Sequence, residues 1–171
     1  MVLHKMFRST LTVSLMTLLS RVTGLIRDIA FAQILGSGLV ADAFFVAFRI
    51  PNFFRRIFAE GAFSAGFVPV YAEYESRYPA PQVRLFLDLM LGRLALILLL
   101  FTLLGVLGAP WLVAMIAPGF VEQSDKYAAT VSALRFTFPY LFFISLVAMA
   151  GGILNARDRF AVPAVTPVLL N

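Results

Sequence analysis

Two stretches, residues 94–121 and 136–156, hold no charged side chain. Each meets the roughly 20-residue length a helix needs to cross about 30 Å of hydrocarbon. A helix buried in a large soluble core could look the same. A chain of 171 residues, however, cannot wrap two such helices and still present a polar shell. Composition points the same way, with 61% hydrophobic and only 13% charged residues against roughly 25% charged in a soluble domain. The expected fold class is therefore all-α, a polytopic transmembrane helix bundle, because helices satisfy every backbone polar group within the segment that crosses.

The net charge of +5 does not point to nucleic acid, because the basic residues lie between or inside apolar segments and form no single solvated face. With no cysteine and one histidine, His4, the chain offers no disulfide, thiolate nucleophile or histidine cluster for a metal. No Ser-His-Asp arrangement or strand-preceded phosphate loop is present, and the run Gly61-Ala62-Phe63-Ser64-Ala65-Gly66 reads as small residues that allow close helix packing. An enzyme is not expected, nor is a cofactor. Lys5 and Arg8 ahead of the apolar residues 9–19 imitate a signal peptide, but Ser20-Arg21-Val22 replaces the small-residue cleavage pattern, so this segment reads as a retained first helix.

Hydropathy and breakers place helices at about 7–35, 40–71, 86–107 and 128–154, with the start of a fifth from about 160, in a single transmembrane domain over 1–171. Gly36-Ser37-Gly38 favours a tight turn, Pro51 a kink in the second helix, and Trp111 a position at headgroup level. Loops are expected at 73–84 and from Ala117 through Lys126. Lys5 and Arg8, then Arg77 and Arg84, then Arg157 and Arg159 fall on alternate connections, and only Lys126 falls on the others. Positively charged residues are retained in the cytoplasm, which places the N-terminus inside.

The first two helices carry charges that lipid does not tolerate: Arg21, Arg27, Asp28, Asp42, Arg49, Arg55, Arg56 and Glu60. Each arginine at a helix centre costs about 2.5–3.5 kcal/mol, so five facing lipid at mid-depth would cost on the order of 12–17 kcal/mol. Most must face protein or a water-filled cavity. Asp42, Arg49, Asn52, Arg56, Glu60 and Ser64 recur at helical spacing as one stripe, and Thr10, Ser14, Thr17, Arg21, Gly24 and Asp28 form another on the first helix. The two stripes are expected to face each other across a cleft, with Arg21 and Arg55 at similar depth. A network that merely clips helices together, with Arg56 and Glu60 one turn apart, is the bland reading. Five arginines against three carboxylates nevertheless leave an excess of positive charge, and the guanidinium fork matches phosphate oxygens bidentately. Phosphate-bearing amphiphiles or anionic solutes are the natural ligands.

The wording of these segments resembles a known family. Ser20-Arg21-Val22-Thr23-Gly24-Leu25-Ile26-Arg27-Asp28, Ala41-Asp42-Ala43-Phe44-Phe45-Val46-Ala47-Phe48 and Arg55-Arg56-Ile57-Phe58-Ala59-Glu60-Gly61-Ala62-Phe63-Ser64 are similar to the N-terminal signature of the MurJ (MviN) family, the lipid II flippases of bacterial peptidoglycan synthesis. Ala117-Pro118-Gly119-Phe120, Phe138-Pro139-Tyr140 and Gly152-Ile153-Leu154-Asn155 continue the match in order. The resemblance implies part of the N-terminal six-helix lobe of a multidrug/oligosaccharidyl-lipid/polysaccharide exporter, about the first third of the family's plan. The second lobe and the family's sodium site would lie in the missing C-terminal part.

By resemblance, Arg21, Arg27 and Arg55 line a cationic cavity that binds substrate, and Glu60 helps close a cytoplasmic gate. Asp28, Asp42, Arg49 and Arg56 are further cavity or gate candidates. The implied activity is alternating-access flipping of lipid II, a lipid-linked diphosphate glycan, in the bacterial cytoplasmic membrane, with membrane lipid and the rest of the transporter polypeptide as partners. Two other readings remain: a different exporter of the superfamily, whose cationic drugs would favour an acidic cavity, and a non-transporting membrane scaffold.

Overall fold

The computed structural model describes residues 2–36, 38–57, 62–157 and 159–170, and within them the side chains of all but 2–9, 35, 62–64 and 170. Every regular element among the described residues is helical: α1 (Val2–Leu35), α2 (Leu39–Arg55), α3 (Ala62–Arg77), α4 (Ala80–Leu107), α5 (Ala109–Ile116), α6 (Pro118–Val121), α7 (Ser124–Thr137), α8 (Tyr140–Ala156) and α9 (Ala161–Leu170). The all-α expectation holds, and α4 and the run Ser124–Ala156 are long and apolar enough to cross a membrane. With 28 residues, α4 is about 42 Å long. Leu96, Ile97, Leu99, Leu100, Leu103 and Leu104 are all exposed along it, an apolar surface that water penalises.

The chain divides into two compact units, Met1–Gly36 with Ala150–Asn171, and Ser37–Met149. Within the first, α1 packs along α9. Gly36 ends α1 with φ +60°, a left-handed conformation that glycine adopts at no steric cost, and its N–H donates to the Ala32 carbonyl at 3.2 Å. Ser37, the centre of the expected turn, lies outside the described residues.

In the second unit α7 packs against α2, α4, α5 and α6. Ala47 and Ile50 of α2, Ala109 and Val113 of α5, and Val131, Leu134, Phe138 and Leu141 form one buried core. Small side chains on α2 let it approach α7 closely. Asp42 meets Lys126 near the two helix starts, and Phe54 meets Phe138 twelve residues further along both helices, ring centroids 6.4 Å apart. The two helices therefore run parallel and in step. Against α4 the sense reverses: Arg135 Nε donates to the Val106 carbonyl at 3.3 Å, while Phe138, just past the end of α7, packs on Phe101, earlier in α4, at 6.0 Å. Gly105 makes this crossing possible, because a Cβ there would overlap the Phe138 ring.

Several boundaries differ from those read in the sequence. The second helix is met as α2 and α3, with residues 58–61 between them outside the described residues. The 73–84 loop contracts to residues 78–79, because α3 continues to Arg77 and Pro79 caps α4, which begins at Ala80. Proline needs no N–H in a first turn, so the feature that suggested a loop starts a helix instead. The uncharged run 94–121, read as one spanning stretch, is divided among the second half of α4, α5 and α6, and the loop expected from Ala117 through Lys126 is met as α6 and the start of α7; α5 and α6 each have proline at their start for the same reason. Close packing through the 61–66 run is not what Gly66 shows, since a Cβ there would meet nothing within 4 Å.

Candidate functional site

On α1, Thr17 Oγ1 donates to the Val13 carbonyl at 2.8 Å and Thr23 Oγ1 to that of Ser20 at 3.0 Å. These hydroxyls are satisfied by their own helix, as polar side chains in a spanning segment must be. Arg21 and Asp28 are exposed and Arg27 is half-buried. Arg27 donates to Asp28 Oδ1 through Nη2 at 2.9 Å and through Nε at 3.1 Å, so the Asp28 carboxylate is taken by its neighbour.

On α2, Pro51 is buried and leaves the Ala47 carbonyl without its usual donor. Helical geometry widens into a π-type turn at 56–57. Phe54 is wedged between α4 and α7, edge-on to Phe101 at 4.8 Å, and this anchors the turn carrying Arg55. Arg55 Nε donates to Asn52 Oδ1 at 3.3 Å, whereas Arg49 and Arg56 are exposed. The carboxylate of Asp42 goes to Lys126 at 2.5 Å, and that ammonium also lies 4.3 Å from the Phe120 ring centroid. Glu60 lies outside the described residues, as does its expected pairing with Arg56.

Asp28 is held by Arg27, and Asp42 is held by a lysine from α7. Among the described residues no carboxylate lies within ion-pair distance of Arg21, Arg49 or Arg56. Arg21, Arg27 and Asp28 belong to the first compact unit; Asp42, Arg49, Arg55 and Arg56 belong to the second. Two cations escaped the sequence reading as site residues, Lys126 and Arg135. Arg135 stands inside an apolar helix and was a signal in itself. Lys126 sits 84 residues from its partner, and nothing local marks it.

Among the described residues every regular element is helical and two helical runs are long and apolar enough to cross a membrane, which defines the class as an all-α membrane helix bundle. The sequence model of the family described as "Lipid II flippase MurJ" matches residues 31–171, and the chain belongs to that family. It is 43% identical over 164 residues to the "Probable lipid II flippase MurJ" of Buchnera aphidicola subsp. Baizongia pistaciae, covering 96% of this chain and 32% of that protein. To the "Lipid II flippase MurJ" of Burkholderia cenocepacia it is 45% identical, covering 97% and 32%. To the "Probable lipid II flippase MurJ" of Vibrio cholerae it is 43% identical, covering 98% and 33%. The chain spans about a third of the length of the curated relatives it matches.

Proposed function

We propose that this chain is part of a flippase that moves lipid II across the bacterial cytoplasmic membrane by alternating access, without making or breaking covalent bonds. The names of the relatives support the substrate. The observation in the structure that supports the reading is the positive charge of Arg21, Arg49 and Arg56, for which no carboxylate of the described residues lies within ion-pair distance. Arg21, Arg27 and Arg55 are the residues assigned to the diphosphate, with Arg49 and Arg56 extending the cationic face. A guanidinium left without a carboxylate in a low-dielectric setting gains most from an anionic ligand, and a diphosphate offers its fork several oxygens. Asp28, by holding Arg27, positions that guanidinium. The residues act as one transmembrane domain with the N-terminus in the cytoplasm, an orientation supported by Arg77 and Arg84 on either side of the α3–α4 turn and by Arg157 and Arg159 after α8.

The test is complementation of a bacterium depleted of its own flippase by the full-length protein carrying Arg21, Arg27 and Arg55 all as alanine. Growth should fail while the variant remains in the membrane at normal level. Growth with normal abundance would remove the diphosphate assignment, and loss of abundance alone would favour a helix-clipping role.

A further inference from the structure

An α-helical carbonyl accepts from the N–H four residues on, and proline has none to give. Gly108 alone separates α4 from α5, and the residue four beyond Val106 is Pro110. The bonds around that position are made along the chain: the Gly108 N–H donates to the Leu104 carbonyl at 2.7 Å, and the Leu112 N–H to that of Gly108 at 3.0 Å. The Val106 carbonyl takes its bond from another helix instead, since Nε of Arg135 donates to it at 3.3 Å. A guanidinium only donates, and it is always charged. An arginine in the last turn of α7 thus does for Val106 what residue 110 cannot.

A second side chain of α7 grips the other side of this joint. Tyr127 Oη donates to the Pro110 carbonyl at 2.9 Å, and Tyr127 precedes Arg135 by about two turns, roughly 12 Å along the helix. Between them Val131 and Leu134 share one buried core with Ala109 and Val113 of α5. At eight residues, α5 is too short to hold its shape unaided. Both apolar packing and a hydrogen bond tie it to α7.

Arg135 also stands at a second proline break. Pro139 lies four residues on, so the Arg135 carbonyl has no helical donor. Beyond it the Leu141 N–H donates to the Phe138 carbonyl at 3.0 Å and the Phe142 N–H to that of Pro139 at 3.1 Å, tighter turns from which α8 restarts. We propose that Arg135 couples the two joints: its backbone belongs to the turn between α7 and α8, and its side chain replaces the N–H that Pro110 lacks between α4 and α5. A change of angle at either joint works against the same bond. This role takes no ligand and is independent of the diphosphate assigned to the arginines of α1 and α2.

Hydrogen exchange of the full-length protein in detergent, read by mass spectrometry over residues 104–117 and 136–144, tests the coupling. Arg135→Met should speed exchange about tenfold in both segments, the scale of one hydrogen bond to a charged group. Arg135→Lys, which keeps a charged donor, should do so less. Pro110→Ala gives position 110 an N–H of its own, so in that background Arg135→Met should leave 104–117 unchanged. Should Arg135→Met alone fail to accumulate in the membrane, Pro110→Ala must restore it. Unchanged exchange in Arg135→Met, equal acceleration with alanine at 110, or failure of that rescue would show that Arg135 does not stand in for the missing N–H. Acceleration confined to 104–117 would show a helix cap without coupling. Each of these results overturns the proposal.

Discussion

Arginine and lysine carry the same charge, yet they should not be equivalent on α1 and α2. Lysine presents a point charge without the planar fork, so lysine at Arg21, Arg27 or Arg55 should support partial growth in the complementation assay, and alanine less. Equal growth with lysine and alanine at every position would show that charge is not what these residues supply. Asp28→Asn releases Arg27 from a bond that now orients it, and should weaken transport without lowering membrane abundance. A different residue-scale prediction concerns packing. Alanine in place of glycine in a helix gains up to about 1 kcal/mol of propensity, but at Gly105 the new methyl overlaps the Phe138 ring, which is buried and cannot swing aside. Overpacking of this kind costs about 1–3 kcal/mol, so Gly105→Ala should lower the unfolding temperature of the full-length protein in detergent. Adding Phe138→Leu should restore part of the loss; a Gly105→Ala protein as stable as its parent would contradict the close crossing.

Between elements, the Asp42–Lys126 pair ties the start of α2 to the start of α7. Lys126 has only 16% of its side chain exposed and also faces Phe120, so its removal should cost more than a surface pair. Lys126→Met and Asp42→Asn should each destabilise, and the double variant should cost less than their sum, with a coupling of about 1 kcal/mol at low salt. Strict additivity would mean the contact contributes nothing. This tie also shows where sequence reading stops. The hydropathy that defines α4 and α8 is local: α8 lies within the uncharged run 136–156, whereas the run 94–121 marks only the second half of α4 and continues through α5 and α6. The stripe on α2 was legible in part: Asp42, Arg49 and Arg56 share exposure, while Asn52 turns to Arg55. Counting charges within each helix could not foresee that α7 would take the Asp42 carboxylate. Nor could it foresee that prolines 79, 110 and 118 would open helices, since the same residue marks a loop or a first turn depending on which neighbours need its N–H.

For the whole chain, the parallel alignment of α2 with α7 requires both to enter the membrane from the same side, with α4 returning between them. A phosphatase reporter fused after Gly38 should be active in the periplasm, and one fused after Tyr78 should be inactive; the reverse pattern would invert the proposed orientation. The Gly105–Phe138 contact has a mechanical consequence for any such transporter. A ring seated where the opposing helix has no side chain acts as a tenon in a mortise, resisting sliding along either axis and rotation about it. With Phe54 closing the same joint from α2, these three helices are held together at one crossing. The chain can bend where α7 gives way to α8, because Pro139 has no N–H to return to the Arg135 carbonyl, as Pro51 has none for the Ala47 carbonyl within α2.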